Sequence, residues 1–404
     1  MNVPPSGPVL CPHFGECGGC ASQDVPYAEQ LARKQQRLQE LFRDFWSGEI
    51  PIAPSPSVWH YRNKMDFNFA RKRYDEPPPP GTKRDTVVGF NRKGKWYWPL
   101  DIEDCLIAPE RAGELLMVVR AWAKREGLEA YDDRTKEGSL RVLLLREGRR
   151  TGQHMVMLIT RPGVIPAESF ADAVRSVYPQ ASVQHGEYTG EAQGKFADTW
   201  RVIRGPDAIS EELRIPDSIS ARAITFRISP FSFFQTNTLA AEVLYGNIRA
   251  WVRETSPEVL YDLYGGTGSI AFACAYLVKV VRSIENVTEA ALDGEANARA
   301  NAIENVFFTA ADVRAYLLNV ANDGGMEPRA AAVVDPPRAG MQPKALKRLI
   351  ACAPKDLLYV SCKPEMLAQE MPELLKRYVL TSFDAVDMFP HTPHVEALAM
   401  FRRK

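Results

Sequence analysis

Apolar residues recur with a helical period between positions 24 and 45, where Ala28, Leu31, Leu38, Leu41, Phe42 and Phe45 fall on one stripe. The spacing predicts an amphipathic helix. Prolines at 51, 54 and 56 then break the chain. From about 61 to 234 strand-like runs dominate, with helices interspersed. LRVLLLRE and QHMVMLIT are two such runs, and the GRRTG between them has turn composition, so together they predict a hairpin. EPPPPGTKRD at 76–85 reads as an exposed loop.

The pattern changes near residue 236. A helix is predicted over 239–252, and short apolar strands then alternate with helices. VLYDLYG precedes a helix from Ser269. VKVVRSIE precedes a helix over 288–303. VFFTAAD, AAAVVDPP and DLLYVSC follow, the last two with helices over 343–352 and 365–377 behind them. Two closing strands, YVLTSFDAVDMF and EALAMF, suit an antiparallel hairpin. Alternation of this kind predicts an α/β, doubly wound, mostly parallel sheet. The expected organisation is a cysteine-bearing segment and helix at 1–58, an α+β domain at 59–235 and the doubly wound domain at 236–404. Open sheets of this type bind ligands at the carboxyl ends of their strands, and the unusual motifs fall in those turns.

Composition adds little: the chain has 404 residues, 45% hydrophobic and 25% charged, and 50 basic residues balance 50 acidic ones. No apolar run approaches the ~18 residues that a membrane span needs. The start, MNVPPSGPVL, lacks the pattern of a signal peptide, so a cytoplasmic location is expected. Zero net charge argues against coating nucleic acid with the whole surface, but a local patch remains open. From His60 to Lys95 ten cations (Arg62, Lys64, Arg71, Lys72, Arg73, Lys83, Arg84, Arg92, Lys93, Lys95) face only four carboxylates. Aromatic residues interleave, among them Tyr61, Phe67, Phe69, Tyr74, Phe90, Trp96, Tyr97 and Trp98. Cations for phosphates and rings for unpaired bases suit an RNA surface; a solvated strand face is the plainer reading.

The turn DLYGGTGS at 262–269 joins a strand to a helix, and its glycines permit a tight turn and close approach of a ligand. It is not GxGxxG and no Walker lysine follows, which disfavours phosphate cradling. Glu285 ends the next strand, where an acid can bind ribose hydroxyls, and Asp312 follows the third. These features leave NAD and S-adenosylmethionine both open. The fourth strand ends Asp335-Pro336-Pro337-Arg338, a stiffened turn that suits a planar base or amine held beside a methyl donor, which favours methyl transfer. The fifth ends at Cys362. Cys274 and Cys352 lie in apolar helical runs and fit a buried structural role. Cys362 instead sits at a strand end, beside Lys363 and before a helix N-terminus, both of which are expected to lower a thiol pKa. DMFPHTPHVE at 387–396 places Glu396 at the start of an apolar strand, where its pKa is expected to rise enough for base work. In FFQTN at 233–237, Gln235 and Asn237 are polar groups in an apolar segment. Cys11, Cys17 and Cys20, with Cys105 far on, form a set whose ligand count suits zinc or an iron–sulfur cluster equally.

FFQTN, DLYGGTGS, DPPRAG, VSCKP and DMFPHTPHVE, with CPHFGECGGC and HYRNKMDFNF upstream, together resemble the RNA uracil-C5 methyltransferase family, which includes 23S ribosomal RNA and tRNA m5U enzymes. The ordered set is specific and covers nearly the whole chain. The resemblance implies a Rossmann-like methyltransferase domain, an RNA-binding central domain and S-adenosylmethionine as cofactor. Gln235, Tyr264, Ser269, Glu285 and Asp312 are implied to contact the cofactor, with Asp335 between it and the uracil. Cys362 is implied to add to C6 of uracil and Glu396 to remove the C5 proton. Cys11, Cys17, Cys20 and Cys105 are implied to hold a [4Fe-4S] cluster of structural role. Two positions depart from the family: Lys363 stands where many members have Asn after the nucleophile, and Ser269 where many have Asn. The small N-terminal β-barrel of many ribosomal members is expected to be absent, since ten residues precede Cys11. The cluster favours 23S rRNA over tRNA as substrate, and no protein partner is implied, so a monomer is expected. A non-catalytic iron–sulfur RNA-binding or redox protein, and a methyltransferase of proteins or small molecules, are the readings from other classes.

Overall fold

The computed structural model describes residues 10–76, 78–79, 82, 84–190, 197–216 and 223–404. Lys83 of the basic stretch, and positions 77, 80 and 81 of the proline-rich loop, lie outside them. Among the described residues no helix is long and apolar enough to cross a membrane.

Two compact units form. The first takes the described residues of Met1–Pro26, Val58–Glu211 and Arg227–Phe231; the second takes those of Tyr27–Ser57, Glu212–Phe226 and Ser232–Lys404. The expected segment 1–58 is therefore divided: its cysteine turn belongs to the first unit and its helix to the second.

The first unit is built on a seven-stranded sheet ordered Lys95–Asp101, Thr86–Arg92, Lys64–Arg71, Leu140–Glu147, His154–Thr160, Ser182–Glu187 and Thr199–Arg204. The predicted hairpin is present, with Leu144 opposite Met157. Alternate residues of these strands (Phe67, Leu143, Leu145, Val156, Leu158, Val183) form a core with the buried faces of the helices Ala112–Arg125 and Ala167–Val177. The period of two in the strands and of 3.6 in the helices sets which side chains meet there.

The second unit holds an eight-stranded sheet ordered Ile52–Ala53, Tyr378–Val386, Glu396–Arg403, Asp356–Ser361, Ala330–Val334, Val259–Leu263, Val280–Glu285 and Val306–Ala310. Five strands run parallel, and Glu396–Arg403 enters antiparallel beside Asp356–Ser361. Ala330–Val334 and Asp356–Ser361, in the middle of the sheet, are buried along their whole length, as cover on both faces requires, while the edge strand Val306–Ala310 is largely exposed. Strand order reverses between Val259–Leu263 and Ala330–Val334, and a crevice at such a switch point is where open sheets bind ligands. The helix Tyr27–Phe42 packs in this unit, its Phe42 ring edge-on to Phe383 at 4.6 Å. The proline-flanked pair Ile52–Ala53, not anticipated from the sequence, adds an edge strand: Ala385 N donates to Pro51 O and Asp387 N to Ala53 O, both at 2.9 Å. Pro51 and Pro54 limit it to two residues by removing donors.

Candidate functional site

Register brings the motif residues of the second unit to one edge. Leu263 pairs with both Ile284 and Val334, and Val334 with Tyr359. Tyr264, Glu285 and Asp335 thus leave their strands at one level. Ser361 pairs with Ala397, which sets Cys362 and Glu396 one step beyond the last antiparallel pair.

The glycine turn is held tightly. Tyr264 N and Gly265 N both donate to Ile284 O at 3.0 Å, and Tyr264 adopts a left-handed φ of 68°. A Cβ on Gly265 would overlap the Ser283 hydroxyl and come within 2.8 Å of Asp262 Oδ2. Asp262 is fully buried, and burial pushes its carboxyl up to about 7 even though Ser283 Oγ donates to it at 3.2 Å. Glu285 accepts from Gly266 N at 2.9 Å and from Val287 N at 2.7 Å, so its carboxylate is fixed at the strand end. Asp312 caps the helix Val313–Asn322 by accepting from Ala315 N at 2.9 Å. Both acids therefore have local structural bonds in addition to any ligand they meet.

Asp335, Glu396 and Cys362 form one electrostatic cluster. Burial raises the Glu396 carboxyl well above the ordinary range, the neighbouring Asp335 raises it further, and Arg338 opposes both. Burial raises Asp335 as well. The Cys362 thiol is pushed up to about 11, first by burial, then by Glu396 and Asp335, with Arg338 again opposing. This corrects the expectation of a lowered thiol: two carboxylates and desolvation outweigh the helix terminus, and the cation acting on the thiol is Arg338 rather than Lys363. Arg338 and His394, both exposed, approach each other at 3.5 Å.

The sequence reading did not single out Tyr245. It lies buried on the helix Thr238–Thr255, hydrogen-bonded to Ser269 and in the field of Asp335, Asp262 and Glu396. The helical pattern predicts its burial but not its neighbours. Asn237, a polar group in an apolar segment, caps that helix through Ala240 N at 3.1 Å and donates to Met388 O at 3.0 Å, tying it to the 387–396 segment. Gln235 is partly buried just before it. Phe233 lies against Gly266, and Thr267 Oγ1 donates to its carbonyl at 3.3 Å. Cys274 and Cys352 are buried, as expected.

Residues 196–404 match the model of the tRNA (uracil-5-)-methyltransferase family. An RNA methyltransferase of Caldanaerobacter subterraneus subsp. tengcongensis, itself uncharacterised, is 34% identical over 97% of this chain and 84% of its own. The chain belongs to this RNA uracil-C5 methyltransferase family. Another relative, the tRNA (uracil(54)-C(5))-methyltransferase of Pyrococcus furiosus, is 30% identical over 97% of this chain and 85% of its own. The crystal structure of Pyrococcus abyssi tRNA (uracil-54, C5)-methyltransferase in complex with S-adenosyl-L-homocysteine superposes with a TM-score of 0.73 at 27% identity, covering 95% of this chain and 85% of that one.

The cysteine set of this family member converges in the first unit. Cys11, Cys17, Cys20 and Cys105 line one cavity of about 230 Å³ with Phe14, Met65, Phe90 and Ile107. Burial raises the thiol of Cys20 to about 11 and that of Cys105 to about 12. Gly19 N donates to Cys17 Sγ at 3.3 Å, and the Ile107 and Ala108 N–H groups bond Cys105. Among the described residues no three His, Cys, Asp or Glu side chains are close enough to hold one metal ion. On donor chemistry alone, four cysteine sulfurs suit zinc or an iron–sulfur cluster equally.

Proposed function

We propose that this enzyme methylates C5 of a uracil in RNA with S-adenosylmethionine, Cys362 acting as nucleophile and Glu396 as base. The observation that carries the reading is the shared edge of Cys362, Glu396 and Asp335 beside the glycine turn. The common level of Tyr264, Glu285 and Asp335 at the strand ends, with Ser269 opening the helix after the glycine turn and Asp312 following the next strand, supports these residues, together with Gln235, as the cofactor-binding set; the cofactor supplies an electrophilic methyl group.

C5 of uracil is too weak a nucleophile to take that methyl unaided. Cys362 adds as thiolate to C6, which pushes electrons through the ring and makes C5 carbanionic. C5 then takes the methyl. Glu396 removes the C5 proton, the C5–C6 double bond re-forms and Cys362 leaves as thiolate. Arg338 favours the anionic form of both groups, and the raised Glu396 is a base strong enough to hold the proton it receives. The base reaches this pocket only when out of its stack, so the RNA is held elsewhere, in this reading by the first unit.

The four cysteines are proposed to hold a [4Fe-4S] cluster, supported by the donor set and the cavity. That cluster favours 23S rRNA as the target. The activities by which the two Pyrococcus relatives are named favour tRNA as a second reading. Incubation with each unmodified RNA and labelled S-adenosylmethionine, followed by mass-spectrometric mapping, tests both. Expected is m5U at one uridine of one class; methyl groups elsewhere than C5, or turnover by Cys362→Ala, sink the reading.

A further inference from the structure

The hairpin of Thr86–Arg92 and Lys95–Asp101 is irregular at its tip. Its pairing passes from Asn91↔Pro99 to Arg92↔Lys95, which extrudes Trp96, Tyr97 and Trp98 from one strand. Such bulges re-aim side chains. Here Trp96 ends 83% exposed, edge-on to Tyr97 at 5.8 Å. Arg92 and Lys95 lie over Trp98 at 5.1 and 5.0 Å, and Lys93 projects into solvent. The bare Trp96 indole offers a π-face for an unpaired base, and the cations over the neighbouring Trp98 offer charge for its phosphates.

The tip is not free-standing. The cysteine turn runs beside it, with Cys17 in an isolated antiparallel bridge to Arg92. Gly18 N donates to Asn91 O at 3.1 Å and Lys93 N to Glu16 O at 2.7 Å. Arg92 pairs with Glu16 at 2.9 Å. A Cβ on Gly18 would meet Asn91 O only in ordinary contact at 3.4 Å, so what ties the two segments is the Gly18 N–H bond itself. The root of the hairpin is fixed by the same cavity, which Phe90 and Ile102 line together with the four thiols.

We propose that the extruded Trp96–Tyr97–Trp98 bulge is the stacking platform for an unpaired nucleotide of the substrate RNA, and that the cysteine turn sets its aim, so that the state of the cysteine cavity governs RNA affinity. The inference rests on the reading of the protein as an RNA-modifying enzyme. It also gives the cysteines a task that methyl transfer does not: they hold the strand against which the platform is registered.

The test uses the full chain and fluorescence anisotropy with an RNA stem-loop carrying an unpaired uridine-rich loop, beside a fully paired duplex. Trp96→Ala is expected to weaken stem-loop binding roughly tenfold, with little effect on the duplex, and Trp96→Phe to restore most of it. Lys93→Ala is expected to flatten the salt dependence by about 0.7 in the log–log slope. Gly18→Pro, which removes the N–H bonded to Asn91 O, and Cys20→Ser are expected to reproduce the loss of stem-loop affinity while S-adenosylhomocysteine binding, followed by calorimetry, is retained. Unchanged affinity in Trp96→Ala overturns the platform. Retained RNA affinity in both turn variants, or parallel loss of S-adenosylhomocysteine binding, overturns the coupling. Absence of m5U from the unaltered enzyme at saturating RNA counts against the enzymatic reading, while the binding data still decide the platform.

Discussion

Cys362 and Glu396 lie on adjacent antiparallel strands one residue beyond the pair Ser361↔Ala397, and burial first, then this carboxylate, raises the thiol. In the proposed reaction the two act at different moments on the two carbons of one double bond. Cys362→Ala is expected to abolish both m5U formation and any covalent RNA complex. Glu396→Gln keeps the nucleophile but removes the acceptor for the C5 proton, so a methylated enzyme–RNA adduct is expected to accumulate on ordinary uridine RNA. Denaturing gels show the adduct directly. A Glu396→Gln variant with normal turnover and no adduct assigns the proton to another base.

The raised thiol gives the pH dependence a sign. Below a pKa of about 11 the thiolate fraction grows about tenfold per pH unit. The rate of adduct formation with 5-fluorouridine RNA is therefore expected to climb between about pH 6.5 and 9. Arg338 opposes the rise of both Cys362 and Glu396. Arg338→Gln is accordingly expected to move this limb to higher pH. A flat profile in that window means that the thiol is already ionised.

Gly265 is constrained by what lies across from it, since a Cβ there meets Ser283 Oγ and Asp262 Oδ2. Gly265→Ala is expected to displace the turn and weaken S-adenosylhomocysteine binding by about tenfold or more, an overpacking cost of ~1–3 kcal/mol. Adding Ser283→Ala removes one of the two clashes and is expected to recover part of the affinity. Calorimetry on the single and double variants checks this; a double variant no better than Gly265→Ala places the damage elsewhere.

Local periodicity carried the element order of the second unit's sheet but only one hairpin of the first unit's, and Tyr264, Asp335 and Cys362 do sit in turns after their strands. What was not legible depends on partners distant in sequence. The stripe on Tyr27–Phe42 says that one face is buried, not that Phe383 and the second unit cover it. Pro51 and Pro54 read as a break, yet two residues between them find a strand edge contributed by residues 385–386. The sequence neighbours of Cys362 point to a lowered thiol, whereas burial, and then Glu396 and Asp335 arriving from other strands, raise it. Tyr245 was passed over for the same reason: a helical tyrosine on an apolar face gives no local sign that three carboxylates lie nearby.

The same dependence on distant partners places Glu396. The segment before it is anchored by Asp387, buried and bonded to Lys34 Nζ at 2.7 Å, Tyr27 OH at 3.0 Å and Phe389 N at 3.1 Å. Lys34 also donates to Phe389 O at 3.1 Å, so one helix side chain holds both the carboxylate and the backbone of the loop. Removing one partner leaves the other charge buried and unpaired, which costs about 3–5 kcal/mol. Lys34→Met and Asp387→Leu are each expected to destabilise by that amount in chemical denaturation. The double variant, with neither charge left behind, is expected to lose far less than the sum. Turnover should fall in the single variants more than S-adenosylhomocysteine affinity does, because the 387–396 segment leads into the base while the glycine turn lies on other strands. Additive losses in the double variant mean that the pair is not coupled, and equal loss of binding and turnover means that the loop does not position Glu396.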